Sequence, residues 1–419
     1  MTRSPVWLAA GLRAPFARVD GPLASRDALG LSVPVVQAMA KQASGPIDLT
    51  VWGSVAVNLA YSNLAREIWL EAGLDPHVPA ITTILQCCTS MAAAFEAAGM
   101  LGQSGRDLAL VGGSESASRV QIGLGADLSV WLRRLAQART ASRKFAALRA
   151  LRPKTLRLYV PEVKNRATGK SMGEHCEEMA KEWKIGRRAQ DELALESHRR
   201  AVAAQDRGGA DDLVALDGLD RDQFPRRDTT LEKLSALKPA FDRVNGTITA
   251  GNSSPLTDGA AGVWVATDEG LARLPAMLAR ARLLDFEIAA VDLFHEGLLM
   301  APVAAIPRLL ARQGLKYEDI ALWEIHEAFA AQVLCNLAGL ESADYVRSRS
   351  GVPHTFGRFP RERINPNGGS VALGHPFGAT GARILSQAVR ELSAMPEGSR
   401  AVVSVCADGG IGTVALLQA

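Results

Sequence analysis

One arrangement occurs twice in this chain and limits the architectures open to it. In the N-terminal half, PAITTILQCCTSMAAAFEAAGMLGQ reads as a strand, a turn and a helix of small residues, and DLALVGGSES follows as an apolar strand closed by a Gly-Gly turn. Near the C-terminus, NPNGGSVALGHPFGATGARILSQAVREL reads as a Gly-rich loop entering a helix, and SRAVVSVCADGGIG is again an apolar strand with a Gly-Gly ending. Short apolar runs that alternate with longer helices are buried on both faces, the helices supplying the cover. The pattern predicts an α/β fold built from a duplicated unit, with largely parallel sheets covered by helices on both sides. Two unrelated α/β segments would produce similar text, and that reading stays open at this point.

Between the halves, residues 119–248 change character and read as an insertion: Gly-rich strands give way to charge-rich helical text. From Arg133 to Lys170, Arg and Lys recur densely with Glu162 as the only acid. Such a stretch can meet phosphates, an anionic membrane surface or an acidic partner, or it can be a solvated helix face. Residues 204–230 are the most loop-like. A net charge of +3 over 419 residues is too weak to argue for nucleic acid, and 47% hydrophobic with 22% charged residues fits a soluble globular protein. Five cysteines, an odd number, with no secretory signal, point to free thiols and the reducing cytoplasm. No run reaches the roughly 18 apolar residues needed to span a bilayer.

Three residues in small-residue surroundings carry reactive groups: Cys87 before an apolar helix, His375 in LGHPFG, and Cys406 at the end of SRAVVSVC. A thiol that forms a covalent intermediate needs a base, and carbon–carbon bond chemistry at a thioester needs a second group that moves a proton at carbon. Cys87 with His375 can do the first and Cys406 the second. The helix after Cys87 is expected to aim unpaired N–H groups at the sulfur and lower its pKa. Taken alone, a cysteine before an Ala-rich helix is more often a buried small hydrophobe. For His375, flanking Gly374, Pro376 and Gly378 allow close backbone approach, which favours a fixed functional ring over a helix interior. Neither His175-Cys176 nor Cys87-Cys88 has a second ligand pair at zinc-like spacing, so no metal site is expected.

Taken in order, the motifs resemble the thiolase family across nearly the whole chain. QCCTSMAAAFEAA is similar to its nucleophile loop, GGSESAS (112–118) to its glycine turn, MGEHCEEMA (172–180) to its loop-domain helix start and AGNSSPLTDGAA (250–261) to its return to the core. HEAFAAQ (326–332), NPNGGSVALGHPFGATGAR and CADGGIG complete the series. The resemblance implies a thiolase fold of two duplicated core domains with mixed sheets covered by helices, plus an inserted loop domain. The implied limits are 1–118 for the N-terminal core, with a return segment 249–270, then 119–248 for the loop domain and 271–419 for the C-terminal core.

The implied activity is CoA-dependent cleavage of 3-ketoacyl-CoA to acetyl-CoA and a shortened acyl-CoA, through an acyl-Cys87 intermediate. Cys406 would protonate the acetyl-CoA carbanion and later deprotonate CoA. His326 and His375 would hold the enolate oxygen, and backbone N–H groups at Cys87 and near Gly409 the tetrahedral oxyanion. Ser254 and His175 are the implied substrate-binding residues, each of which could equally be an ordinary loop residue. The resemblance implies a homodimer, CoA as co-substrate and no permanently bound cofactor.

Two departures refine the expectation. Many thiolases have Asn where His326 stands, and both His326 and the basic insertion resemble β-subunits of fatty-acid oxidation complexes. That likeness implies a hydratase–dehydrogenase α-subunit as partner and peripheral membrane contact through 133–170. Asp408 stands at the third position of the family's glycine-rich Cys-x-Gly-Gly. A carboxylate aimed at a developing oxyanion would raise the barrier, so its side chain is expected to point away. Rival readings are a short-chain acetoacetyl-CoA thiolase, a decarboxylating ketosynthase, against which Cys406 argues, and a non-catalytic scaffold subunit.

Overall fold

The computed structural model describes residues 5–419 apart from Ser104, Gly209, Ala210 and His354. Nine strands make the path of the main sheet: β1 (Trp7–Ala9), β2 (Leu49–Gly53), β3 (Ala80–Thr82), β4 (Leu108–Glu115), β5 (Thr257–Ala266), β6 (Arg280–Ala290), β7 (Leu322–Ile325), β8 (Arg400–Ala407) and β9 (Ile411–Gln418). All eight residues of β4 are buried and all but the first of β8, which is why both read as unbroken apolar runs with no polar face. The order across the sheet is β7-β8-β9-β6-β1-β5-β4-β2-β3, with the short strand Ala17–Arg18 pairing β5 off this path.

The duplication predicted from the text is visible in the pairing. β4 has a parallel neighbour, β2, and an antiparallel one, β5; β8 likewise has parallel β7 and antiparallel β9. The two halves meet at β1, which pairs antiparallel with both β5 and β6, so one ten-stranded hydrogen-bonded sheet runs through the molecule. The expectation of largely parallel sheets is corrected here: antiparallel pairs occupy the middle and parallel pairs the flanks. The cause lies partly in Gly409 and Gly410, whose φ values of +84° and +74° turn β8 directly back into β9. A tight reversal of this kind can join only antiparallel neighbours.

Four helices show how the layers stack: α1 (Ala28–Ala40), α2 (Thr89–Met100), α3 (Ala301–Gln313) and α4 (Thr380–Ser393). α1 packs on β4 and β5, and α3 on β6 and β9. α2 and α4 lie between the two halves of the sheet, in a core that takes Val51, Val111 and Val263 from one half and Val403, Val405 and Leu417 from the other. Each such buried side chain contributes roughly 1.5–3 kcal/mol relative to exposure. Small residues let the two central helices touch: a Cβ at Gly381 would lie 2.5 Å from the Met91 nitrogen, and Ser90 Oγ accepts from the Ala382 N–H at 2.8 Å.

The insertion is helical, with helices at Ala126–Gln137, Ala141–Arg149, Met172–Glu182 and Arg187–Asp206, and a two-stranded ribbon of Gly123–Leu124 with Leu158–Tyr159. Of the stretch 204–230 read as loop, residues 204–206 are the end of the helix Arg187–Asp206, and the described residues of 207–230 form turns, bends and isolated bridges. Among the described residues no helix is long and apolar enough to cross a membrane.

Candidate active site

Cys87 sits on a turn that its neighbours lock in place. Gln86 has φ +45°, unusual for a side chain of its size, and Cys88 caps α2. Thr89 Oγ1 donates to the Gln86 carbonyl at 2.7 Å and accepts from the Leu85 N–H at 2.9 Å. Cys88 is fully buried, and its thiol donates to the Val405 carbonyl at 3.3 Å, which ties the turn to β8 one residue before Cys406. Cys87 itself is half-buried.

Its thiol is pushed up by burial first, then by Cys88 and by the Asp408 carboxylate, while the Asp408 backbone N–H acts in the other direction. The expected lowering by the helix start is thus reversed. Dehydration of the enclosed sulfur exceeds what the helix terminus supplies, so the resting group is a thiol.

The rings of His326 and His375 stand with centroids 4.2 Å apart. His326 follows β7 and extends its ladder, its N–H donating to the Ser404 carbonyl at 2.8 Å, which sets the ring beside the Cys406 end of β8. His375 follows Gly374, whose φ of +97° and whose approach to Thr257 leave no room for a Cβ. The His375 N–H donates to Thr257 Oγ1 at 3.0 Å. The two residues are only 1% and 4% exposed, and burial is the main cause that holds both imidazoles neutral, His375 down to about 3, with the Arg383 charge adding to it.

For His375 the tautomer follows from its neighbour. Nδ1 lies 2.6 Å from Thr380 Oγ1, whose single hydrogen is directed to the Pro376 carbonyl at 3.0 Å. Thr380 therefore accepts from Nδ1–H, and the His375 Nε2 presents a lone pair. Among the described residues neither His326 Nε2 nor His375 Nε2 has a hydrogen-bond partner.

Cys406 is buried at the end of β8, and its thiol is raised well above the ordinary value by burial first and then by the nearness of Cys87 and Cys88, which disfavours a second thiolate beside them. Asp408 Oδ1 accepts from Asn165 Nδ2 at 2.7 Å and from the Gly409 N–H at 2.6 Å, so the carboxylate is drawn toward the insertion. This changes one assignment. The Gly409 N–H is occupied by the Asp408 carboxylate, and the backbone N–H that reaches the Cys87 sulfur belongs to Asp408.

His175, buried, pairs through Nε2 with Thr168 Oγ1 at 2.7 Å, and Asn165 Oδ1 accepts from the N–H groups of Ala167 and Thr168. His175 thus supports the loop that holds Asp408, with its own pKa lowered chiefly by burial. Ser254 bonds the Ala328 carbonyl through both its N–H, at 3.0 Å, and its hydroxyl, at 2.9 Å, which pins the 250s loop to HEAFAAQ.

Two buried carboxylates hold the frame. Glu115 accepts from the N–H groups of Val55, Ala56 and Gly378, joining β4 to the His375 loop. Glu327 accepts from Ser197, Asn365 and the Val371 N–H. Sequence reading missed these, along with Ser370, Thr380, Arg383 and Asn165; for all but Asn165 the nearest available signal was their position inside the quoted motifs. A groove of about 350 Å³, lined by Arg18, His198, Phe224, Arg226, Ser253 and Leu256 among others, lies next to this frame, with Leu256 bridged to His375 through the backbone.

Known proteins match this chain over nearly its full length. Residues 6–269 match the thiolase N-terminal domain and residues 277–419 the thiolase C-terminal domain. A 3-ketoacyl-CoA thiolase of Pectobacterium carotovorum is 37% identical over 97% of this chain and 95% of its own length, and one from Vibrio cholerae is 37% identical over 99% and 97%. Among solved structures, the Bacillus anthracis acetyl-CoA acetyltransferase superposes with a TM-score of 0.79 at 29% identity, covering 99% of this chain and 98% of that one. The Acat5 thiolase of Ascaris suum in complex with coenzyme A has a TM-score of 0.79 at 27% identity, with 99% of each chain covered.

Proposed function

The chain belongs to the thiolase family, and from that premise we propose the roles its residues play in cleaving a 3-ketoacyl-CoA with CoA. It is an acyltransferase of thiolase type. The observation that carries the assignment of roles is that Cys87 and Cys406 lie near one another and the rings of His326 and His375 stand together, both Nε2 atoms being buried and, among the described residues, without a hydrogen-bond partner.

Cys87 attacks the 3-keto carbon while His375 Nε2 takes its proton. A neutral thiol beside a neutral base suits transfer during the attack rather than a standing thiolate. The oxyanion of the adduct is met by backbone N–H groups at Cys87 and Asp408. The C2–C3 bond breaks, the electron pair passes to the thioester as an enolate held by His326 and His375, and Cys406 delivers a proton to C2 to give acetyl-CoA. The Cys406 thiolate then takes the proton of CoA, whose sulfur attacks acyl-Cys87. The leaving Cys87 sulfur recovers its proton from His375, and both cysteines return to thiols. CoA is placed in the groove beside His375, where Arg18 and Arg226 suit phosphate groups.

The degradative direction, in fatty-acid β-oxidation, is supported by the likeness to 3-ketoacyl-CoA thiolases. A short-chain acetoacetyl-CoA thiolase is the second reading, favoured by the likeness to the Bacillus anthracis acetyltransferase. Cleavage rates across 3-ketoacyl-CoAs of four to sixteen carbons, followed as CoA-dependent loss of the magnesium-enolate absorbance, separate the two: a maximum at four carbons selects the second. No cleavage at any length by the folded protein would remove both.

We also place the enzyme in the cytoplasm as a homodimer, keep the domain limits 1–118 with 249–270, 119–248 and 271–419, and read the basic insertion as a docking surface for an α-subunit or a membrane. Supporting the last point, Phe145, Leu148, Leu156 and Tyr159 are exposed among Arg143, Lys144, Arg149 and Arg152. Reversing Arg143, Lys144 and Arg149 to Glu should abolish binding to anionic liposomes or co-purification with an α-subunit; persistence of both would make the segment a solvated face.

A further inference from the structure

The two imidazoles each bring one nitrogen into the site, and the structure makes those nitrogens chemically different. The Thr380 hydroxyl leaves His375 Nε2 as an acceptor. His326 faces another hydroxyl with the opposite connections. Its Nδ1 lies 3.0 Å from Ser370 Oγ, and Arg383 Nη2 donates to that same oxygen at 3.4 Å. A guanidinium has only donors, so Ser370 must accept from it. Its one hydrogen is then directed to His326 Nδ1, the remaining partner of this fully buried hydroxyl among the described residues. A ring whose Nδ1 accepts carries its proton on Nε2.

We propose that Ser370, oriented by Arg383, is a positioning residue that fixes His326 as the Nε2–H tautomer, so that the paired imidazoles enter the reaction as one donor and one acceptor. The inference rests on the thiolase reading and deepens it. The acceptor is needed first, to take the Cys87 proton; only afterwards can His375 donate. His326 is a donor from the start, ready for the enolate oxygen when the C2–C3 bond breaks. Arg383 also sets a buried positive charge near both rings, which opposes a second proton on either. The buried carboxyl groups of Glu324 and Glu327, which flank His326 in the chain, lie near Arg383, and burial raises both, Glu324 well above the usual carboxylate range. The sequence places Ser370 and Arg383 in the same motif as His375, far from His326, and only the fold brings them to the partner ring.

The test uses full-length enzyme with ¹⁵N-labelled histidine, the ring signals being assigned with the His326→Asn and His375→Asn variants. The expected result is a protonated Nε2 on His326 and an unprotonated Nε2 on His375 in the resting wild type. Ser370→Ala should release the His326 tautomer and lower kcat by roughly tenfold to a hundredfold with KM for the 3-ketoacyl-CoA little changed, and Ser370→Thr should restore both. An unprotonated His326 Nε2 in the wild type overturns the proposal, as does a Ser370→Ala enzyme with wild-type ring signals and kcat. Should Ser370→Ala fail to fold, the wild-type signals still decide. Acylation of Cys87 by the substrate is measured in parallel; its absence would defeat the thiolase roles while leaving the tautomer result readable.

Discussion

Asn165 donates from Nδ2 to the Asp408 carboxylate at 2.7 Å, a bond that joins the insertion to the loop leaving β8. The carboxylate and the backbone N–H of Asp408 act on the Cys87 sulfur in opposite senses, one raising its pKa and the other lowering it. The bond to Asn165 helps decide which of the two the site experiences.

Asn165→Ala should therefore let the carboxylate turn toward Cys87 and lower kcat by about tenfold, the scale of one pKa unit of unfavourable interaction. Asp408→Gly in the Asn165→Ala background should recover most of that loss. Steady-state rates of the two single variants and the double variant check the coupling; independent effects at the two positions would contradict it.

Cys406→Ser should separate the two halves of the reaction. Acyl-CoA should still acylate Cys87, whereas turnover with 3-ketoacyl-CoA and CoA should fall by at least about a hundredfold. Intact-protein mass and steady-state rate report the two halves, and full turnover by the variant would take Cys406 out of the mechanism.

Burial of His375 couples stability to pH. Its folded pKa of about 3 lies below the ordinary 6.5, so unfolding takes up a proton between these values. The stability this neutral ring contributes is complete above pH 6.5 and is lost as the pH falls toward 3, and His326 acts with the same sign. In urea titrations, His375→Asn should lose stability on acidification less steeply than wild type, by up to about 1.4 kcal/mol per pH unit. Parallel pH dependences would show that the ring is not held neutral.

Gly113 has no room for a side chain: a Cβ there would lie 2.1 Å from the Gly378 carbonyl oxygen in the loop after His375. Gly113→Ala should cost about 1–3 kcal/mol and displace that loop, so that activity falls along with the melting temperature. A variant with wild-type stability and rate would show that the contact between β4 and the His375 loop is loose.

What the text of the sequence revealed was whatever is written locally. The unbroken apolar runs of β4 and β8 and the Gly-Gly turns disclosed the duplicated unit, and the small residues around Cys87, His375 and Cys406 marked the reactive groups. The apolar pattern alone suggested largely parallel sheets, whereas the resemblance implied the mixed sheet that is found; the turn at Gly409–Gly410 sends the chain back into an antiparallel neighbour. The Cys87 thiol was misjudged because a helix start is visible in sequence and the enclosure of a sulfur by Cys88 and Asp408 is not. Asn165 and Asp408, or Ser370 and His326, are far apart in the chain, and no periodicity connects a lone polar residue to its distant partner.

The central claim, that Cys87 carries the acyl group while His375 takes its proton, is tested most directly by intact-protein mass after mixing the enzyme with a 3-ketoacyl-CoA in the absence of CoA. The account predicts a single acyl adduct that maps to Cys87, disappears on adding CoA, is absent in Cys87→Ala and forms far more slowly in His375→Asn. An adduct on Cys88 or Cys406, or one formed at the wild-type rate without His375, would contradict it.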